Sequence, residues 1–229
     1  MTNQLADASV ETLRISVDTK AKVKIGEFSR NGKTRADRAP EGLDHDYAAE
    51  ATLVPFGVLN LQNDRTDIIF GTSAETSDFI VDCLEMWWDI NKADYPEIRE
   101  LVINLDNGPS VSSSRTQFIH RMIGFSESSG LEIHLVYYPP YHSKYNPVER
   151  CWSSLGRHWN GEILNSVDKA IKWASTMTWK GVKASVSLLD KIYERGISLT
   201  KKEMVKYLPQ IKRSDNLPKW DVKILPLAG

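Results

Sequence analysis

Apolar and polar residues alternate strictly over the first part of the chain, from Leu13 to Ile25. A period of two that places β-branched residues on one face predicts a long strand with one buried side. Two further strand patterns follow at residues 52–61 and 66–70. This part of the chain is therefore predicted to form a meander of three strands.

The spacing of apolar residues then changes to that of a helix. Between residues 79 and 88 apolar side chains recur at helical intervals, which predicts a helix with one buried face. Thr72 and Glu75 precede it at the spacing of a capping box and predict its start. The next apolar run, Leu101–Leu105, predicts a central strand that is buried on both faces.

The last predicted elements continue this alternation of helices and strands. Residues 112–123 have the pattern of a helix and residues 131–138 that of a strand. Asn146 followed by Pro147 predicts the start of another helix, with Asn146 as its N-cap. Beyond Ser166 the chain is predicted to be helical and basic to its end. The order of elements predicts an α/β fold around a mixed sheet.

Composition narrows the class of protein. The 229 residues are 41% hydrophobic and 26% charged, which is typical of a globular protein of one large domain. No apolar run approaches the length of a membrane span, and the first residues lack the pattern of a signal peptide. The two cysteines exclude a disulfide framework and a cysteine-based zinc site. A protein of a reducing compartment is expected, without membrane partners.

The net charge of −1 hides a marked asymmetry. Residues 1–149 hold 14 Lys and Arg against 23 Asp and Glu, whereas residues 150–229 hold 15 against 7. Basic surface can neutralise phosphates, although solvated faces of helices and strands are normally charged as well. A smaller basic block lies early in the chain and comprises Lys20, Lys22, Lys24, Arg30, Lys33, Arg35 and Arg38.

Three carboxylates fall where α/β sheets gather catalytic groups. Asp18 is in the first strand, Asp106 follows the central strand, and Glu149 is in the first turn of a helix. Ligands bind outside the carboxyl ends of strands in such sheets. Each acid also has a structural interpretation: Asp18 as an exposed strand residue, Asp106 as a turn residue and Glu149 as a favourable charge at a helix start.

Longer motifs around these acids resemble one family. They are LDNGP at 105–109, YYPPYHSKYNPVERCWSSLGRHW at 137–159, ISVDTKAKVKIGEFSRNGKTR at 15–35 and LDHD at 43–46. The chain resembles the insertion-sequence transposases of the DDE type, named after two Asp and one Glu. Within them it is similar to the ISAzo-thirteen-like, or Rhodopirellula-type, group. The resemblance extends from about Leu13 to at least Trp159.

The resemblance implies a ribonuclease H-like mixed sheet. It divides the chain into a short leader at 1–12, a catalytic domain at 13–180 and a basic helical C-terminal extension at 181–229. It implies that Asp18, Asp106 and Glu149 are the three catalytic acids and hold two Mg²⁺ or Mn²⁺ ions. Asp44 and Asp46 are rivals for the first position, although they lie in an irregular polar segment. Asn107 either orients the metal site or forms the turn.

The resemblance also implies that DNA is the partner, as element ends and as target. The residues expected to contact it are Lys20, Lys22, Lys24, Arg30, Lys33, Arg35, His142, Lys144, Arg150 and Arg157. Trp152 and Trp159 fall on an apolar helix stripe, where core packing is the expected role. The predicted reaction uses water to cut one strand at an element end, and the resulting 3′-hydroxyl then attacks target DNA.

Two other functions remain open at this stage. One is a metal-dependent ribonuclease H-like nuclease, and the other is an inactive truncated remnant that only binds DNA. The helix-turn-helix region by which family members recognise element ends has no room before residue 13, so impaired sequence-specific binding is expected. A homodimer in a DNA complex and a location in the bacterial cytoplasm beside the nucleoid are further expectations.

Overall fold

A nine-stranded mixed sheet organises the computed structural model, which describes residues 2–30, 49–139 and 145–227. The helices are α1 (Thr2–Ala8), α2 (Ser77–Asn91), α3 (Thr116–Ser129), α4 (Glu149–Trp159), α5 (Val167–Ala174) and α6 (Lys201–Met204). The strands are β1 (Thr12–Thr19), β2 (Val23–Ile25), β3 (Ala51–Asn60), β4 (Thr66–Gly71), β5 (Glu100–Leu105), β6 (Glu132–Tyr137), β7 (Thr178–Trp179), β8 (Val182–Lys183), β9 (Ser185–Leu189), β10 (Ile211–Arg213) and β11 (Asp221–Ile224). Short 3₁₀ turns occupy Lys92–Asp94 and Val205–Gln210.

The strand order confirms the predicted mixed sheet. Along the sheet the order is β10, β11, β6, β5, β1, β3, β4, β9, with β2 paired to β3. The strands β1, β5 and β6 run parallel, whereas β3 runs antiparallel to both β1 and β4. Because β1 and β5 are parallel neighbours, their carboxyl ends lie at the same edge of the sheet.

Helices cover both faces of the sheet. On one face α2 and α3 bury aromatic and aliphatic side chains against β1, β3 and β5. On the other face α4 and α5 pack against β2, β3 and β4. Alternate residues of β3 serve the two cores: Val54 and Phe56 belong to the first, and Leu53 and Leu59 to the second. None of the helices in the described ranges is long and apolar enough to span a membrane.

Two local predictions were wrong in detail. The expected single strand from Leu13 to Ile25 is split into β1 and β2, which pair with different parts of β3. The expected capping box at Thr72 does not form, because α2 begins at Ser77 and Thr76 Oγ1 accepts the Phe79 N–H. The Thr72 hydroxyl instead donates to Asp190 Oδ1 at 2.7 Å. Tertiary contacts thus override the local pattern at this helix start.

The prediction of a helical C-terminal part was also wrong. Among residues 181–229 the structure places β9 parallel to β4, and β11 antiparallel to β6. The apolar residues here recur with the period of a strand: Val222 and Ile224 are buried and alternate with the half-buried Asp221 and Lys223. The division of the chain into domains at residues 12 and 180 stays a prediction.

Candidate active site

Asp18 and Asp106 lie at the adjoining ends of two parallel strands. Asp18 is the penultimate residue of β1, and Asp106 follows the last residue of β5. Both line one small cleft with a volume of about 60 Å³. Glu75, from the loop before α2, lines the same cleft and was missed in the sequence, where it was interpreted as a capping residue. The sheet topology therefore brings two of the three expected acids together.

The start of α4 is tied directly to β1. The buried Asn146 side chain accepts a hydrogen bond from Ser16 Oγ and donates through Nδ2 to the Val17 carbonyl at 2.9 Å. The Val148 N–H donates to Ser16 Oγ at 3.1 Å. We call these contacts the Asn146 clamp. It fixes Glu149, the first residue of α4, relative to Asp18 two residues further along β1.

The predicted role of Asn146 as a helix N-cap was wrong. Its side-chain oxygen and nitrogen are both engaged with β1, so neither serves a helix N–H. The backbone carbonyl of Asn146 accepts from Glu149 N at 3.1 Å in a turn that leads into α4. A polar side chain can form hydrogen bonds either with its own helix or with a distant strand. In Asn146 both the side-chain oxygen and the side-chain nitrogen bond to buried groups of β1.

Replacing Asn146 with alanine is expected to destabilise the fold strongly. The change leaves the buried Val17 carbonyl without its donor and the Ser16 hydroxyl without its acceptor, while Ser16 Oγ keeps the N–H of Val148. This loss costs roughly 3 kcal/mol. Urea denaturation measures the loss in the free energy of unfolding. Asn165→Ala, which removes an exposed amide bonded to Glu27, is the matched control and should change it by less than about 0.5 kcal/mol. Equal effects of the two substitutions would contradict the clamp.

The environment of Asp18 favours its protonated form. Burial raises the pKa of Asp18 from 3.8 to about 7, opposed by a hydrogen bond from Trp152, and the carboxylates of Asp106 and Glu149 raise it further. Trp152 Nε1 donates to Asp18 Oδ2 at 2.9 Å. The side chain expected only to fill the core thus also orients an acid. No local pattern in the sequence indicates this contact, because the two residues are 134 positions apart.

A glycine makes room for this tryptophan. Gly57 of β3 is paired with Asp18 across the sheet. A Cβ atom at Gly57 would stand 2.6 Å from Trp152 Cη2 and 3.0 Å from Val148 Cγ2. The close approach of α4 to the sheet, which brings Glu149 toward Asp18, therefore requires glycine at this position.

The Asp106 loop, residues 106–115, begins with a tight turn. Asp106 Oδ1 accepts the Gly108 N–H at 3.2 Å, and Asn107 Oδ1 accepts the Ser113 N–H at 3.3 Å. Both side chains therefore form the hydrogen bonds that are expected of turn residues. It is compatible with a catalytic role for Asp106, because a turn of this kind fixes the direction of its carboxylate.

The C-terminal part of the chain holds the Asp106 loop in place. Arg213 Nη2 donates to the Ser113 carbonyl at 2.6 Å, and Ser113 Oγ donates to the Lys219 carbonyl at 2.8 Å. From β6, the Tyr137 hydroxyl donates to the Val111 carbonyl at 2.8 Å. The strands that the sequence did not predict thus position one of the expected acids.

Replacing Arg213 with alanine is expected to loosen the Asp106 loop. Loss of the bonds to Ser113 and Pro218 should cost about 1 kcal/mol. Hydrogen exchange should then be faster at the loop amides of residues 107–114 than elsewhere in the sheet. Lys212→Ala, at the exposed neighbouring position, serves as control. Unchanged exchange in Arg213→Ala would show that the loop is held by its own turn alone.

A basic groove begins beside Asp18 and runs between residues 20–30 and α4. It has a volume of about 400 Å³ and is lined by Lys20, Ala21, Lys22, Val23, Lys24, Phe28, Ser29, Arg30, Gly156, Trp159 and Asn160. Burial lowers the pKa of Lys20, the charge of Arg30 lowers it further, and Asp18 opposes both. Four of the ten residues expected to contact DNA therefore share one groove.

The other expected DNA contacts are distributed differently. Arg150 and Arg157 are exposed on α4. Lys33, Arg35, His142 and Lys144 lie outside the described residues, and so do Asp44 and Asp46, the rivals of Asp18.

The acids present suit a divalent cation by their chemistry. Carboxylate oxygens are the ligands that Mg²⁺ and Mn²⁺ prefer, and the repulsion that raises the pKa of Asp18 is what a cation would relieve. Within the described ranges no three His, Cys, Asp or Glu side chains are gathered closely enough to hold a metal ion. Asp18 and Asp106 are instead engaged in the hydrogen bonds to Trp152 and Gly108.

The sheet order and the acids at its edge define a domain of the ribonuclease H-like class. The family described as Rhodopirellula transposase DDE domain matches residues 2–226. The chain belongs to this family, whose members generally use divalent metal ions.

Comparison with solved structures finds two distant similarities. The Mos1 transposase, in a paired-end complex with the left transposon end, is 11% identical with a TM-score of 0.47, over 70% of this chain and 46% of that chain. The human cytomegalovirus terminase nuclease domain is 10% identical with a TM-score of 0.30, over 89% and 76%. This chain thus corresponds to less than half of the Mos1 transposase chain. No curated protein matches the sequence significantly.

Proposed function

We propose that this chain is the catalytic domain of a DDE transposase, which cuts one DNA strand at an element end and joins the new 3′-hydroxyl to target DNA. The observation that carries the proposal is the meeting of Asp18 and Asp106 in one cleft, with Glu149 held next to β1 by the Asn146 clamp. Membership of the transposase family supports it.

In this proposal Asp18, Asp106 and Glu149 hold two Mg²⁺ or Mn²⁺ ions. Two such ions activate the attacking oxygen and stabilise charge on the leaving oxygen of a phosphodiester. The protein's own groups supply position: Trp152 orients Asp18, the turn at Gly108 orients Asp106, and the Asn146 clamp sets Glu149. Such positioning matters because phosphoryl transfer depends mainly on alignment and charge stabilisation.

DNA is the proposed partner, both as element ends and as target. The basic groove leads away from Asp18, and Lys20, Lys22, Lys24 and Arg30 can neutralise phosphates along it. Arg150 and Arg157 extend the basic surface along α4, and Lys33, Arg35, His142 and Lys144 complete the proposed set. A homodimer that holds two element ends, in the bacterial cytoplasm beside the nucleoid, is part of the same proposal.

Analysis of DNA products tests this function. The protein is incubated with labelled duplexes of the element ends and a target plasmid, with Mg²⁺, with Mn²⁺ or without metal. The transposase proposal predicts metal-dependent nicks at the element end and, in addition, labelled strands joined to the plasmid.

Other products would favour the two remaining functions. Metal-dependent cutting without joining, even from precut ends, would favour a nuclease. DNA binding without any metal-dependent product would favour an inactive remnant.

A further inference from the structure

Two buried N–H donors in the basic groove have no hydrogen-bond partner among the described residues. They are Arg30 Nε and Trp159 Nε1. Trp159 is only 2% exposed and lines the groove together with Arg30. Buried donors in folded proteins are nearly always paired, so each exception calls for an acceptor. Two exceptions in one basic groove point to an acceptor that is not among the described residues, such as a bound anion.

Neighbouring groups hold both donors in place. The Trp159 ring packs against Phe70, with ring centroids 6.0 Å apart. The Arg30 guanidinium lies over the Trp159 ring at 5.9 Å and donates through Nη2 to the Lys24 carbonyl. Arg30 is thus fixed by a ring and a backbone carbonyl, neither of which carries a negative charge. A guanidinium held in this way is pre-organised for an anion.

Lys20 and Lys22 add to the positive charge of the groove. In the described part of the chain, Lys20, Lys22 and Arg30 form no salt bridge with a carboxylate. Burial lowers the pKa of Arg30, so an anion that compensates this charge would relieve the cost of burying it. Among the described residues, the groove therefore combines three cations that form no salt bridge, Lys20, Lys22 and Arg30, with two N–H donors that have no partner.

We propose that Arg30 and Trp159 form a subsite for one backbone phosphate of a DNA strand, close to the phosphate that is cut. A non-bridging phosphate oxygen accepts from Arg30 Nε and Trp159 Nε1, and Lys20 and Lys22 neutralise the adjacent phosphates. Phosphate contacts of this kind set the register of a protein on DNA without reading sequence. The groove that holds Arg30 and Trp159 also includes Lys20, which follows Asp18 by two residues. A phosphate bound by Arg30 and Trp159 therefore sets which phosphate of the same strand reaches Asp18 and Asp106. The inference deepens the proposed function and rests on it.

The test is methylphosphonate interference in metal-free binding, which does not depend on catalysis. Element-end duplexes each carry one neutral methylphosphonate, and the dissociation constant is measured at every position for the wild-type chain, Arg30→Gln, Trp159→Phe and Lys201→Ala. Arg30→Gln removes the charge, and Trp159→Phe removes the N–H while keeping an aromatic ring. Lys201 is exposed on α6, which packs against α3 on the opposite face of the sheet from α4.

The wild-type chain and Lys201→Ala should bind about tenfold more weakly when the methylphosphonate replaces one particular phosphate near the cut than when the DNA is unmodified. Arg30→Gln and Trp159→Phe should bind unmodified DNA more weakly than the wild-type chain does. A methylphosphonate at that position should not weaken their binding further. Arg30→Gln should also lower the slope of log affinity against log salt by about one.

The subsite would be overturned if the methylphosphonate at that position weakened binding by Arg30→Gln and Trp159→Phe as much as it weakens binding by the wild-type chain. It would also be overturned if no single methylphosphonate position weakened binding by the wild-type chain. Normal cleavage and joining by the same wild-type preparation would then show that the proposed function stands without the subsite. A wild-type chain that binds no DNA would overturn both. Because Arg30 is only half-buried whereas Trp159 is fully buried, the Arg30→Gln variant decides the outcome if Trp159→Phe proves unstable.

Discussion

Replacing Asp106 with asparagine is expected to abolish metal-dependent DNA cleavage, with a loss of roughly 10⁴-fold in rate. The substitution removes the negative charge that attracts a divalent cation but keeps the size of the side chain. The amide oxygen can still accept the Gly108 N–H, so the Asp106 loop should keep its conformation. Cleavage is measured on labelled element-end duplexes under conditions in which the wild-type chain is saturated with metal.

The matched control is Asp89→Asn, an equal change of charge at an exposed position of α2 where the acid pairs with Lys92. It should leave the rate unchanged. Unaltered thermal stability of Asp106→Asn would show that the loss lies in the chemistry and not in the fold. A rate within tenfold of the wild type would remove Asp106 from the catalytic role.

Replacing Asp18 with asparagine is expected to abolish cleavage and yet to stabilise the metal-free protein at neutral and alkaline pH. The pKa of Asp18 is raised from 3.8 to about 7, first by burial and then by Asp106 and Glu149. Between these two values the folded chain keeps a proton that the unfolded chain has released. The free energy of unfolding therefore falls as pH rises through this window, and the full penalty is present above pH 7.

The asparagine has no such titration, and its oxygen still accepts from Trp152 Nε1. The free energy of unfolding of Asp18→Asn, relative to that of the wild type, should increase as pH rises from 4 to 8, by at most about 4 kcal/mol. Thermal denaturation in chelator, followed over this pH range, measures the difference. Added Mg²⁺ should raise the melting temperature of the wild type more than that of the variant. A stability difference independent of pH would contradict the burial and repulsion inferred at Asp18.

The sequence carried enough information for the central sheet because its signals are local. The strand pattern of β3 and the apolar run of β5 depend only on which residues follow one another, and both strands form close to the predicted bounds. The apolar stripe of α4, from Val148 to Trp159, is likewise buried as expected. Once β1 and β5 are parallel neighbours, the meeting of Asp18 and Asp106 follows from strand geometry.

What the sequence did not predict depends on partners that are distant along the chain. Asn146 has a good N-cap environment locally, but Ser16 and Val17, some 130 residues away, take its side chain. The strand around Val222 forms by pairing with β6, which is likewise distant along the chain. The contact of Trp152 with Asp18 requires the glycine at position 57, and no local pattern links these three residues. The catalytic roles of the three acids stay a proposal.

Crystals grown without metal and soaked in Mn²⁺ provide the most direct test of the central claim, because anomalous scattering locates manganese without reference to the protein. The account predicts one or two manganese ions in the cleft, bound by oxygen atoms of Asp18 and Asp106, with Glu149 turned toward them from the start of α4. Manganese bound through Asp44 or Asp46 in place of Asp18 would make the assignment of the first acid wrong. Soaked crystals with no manganese at Asp106 or Glu149 would contradict the proposal that this site is the active site of a DDE transposase.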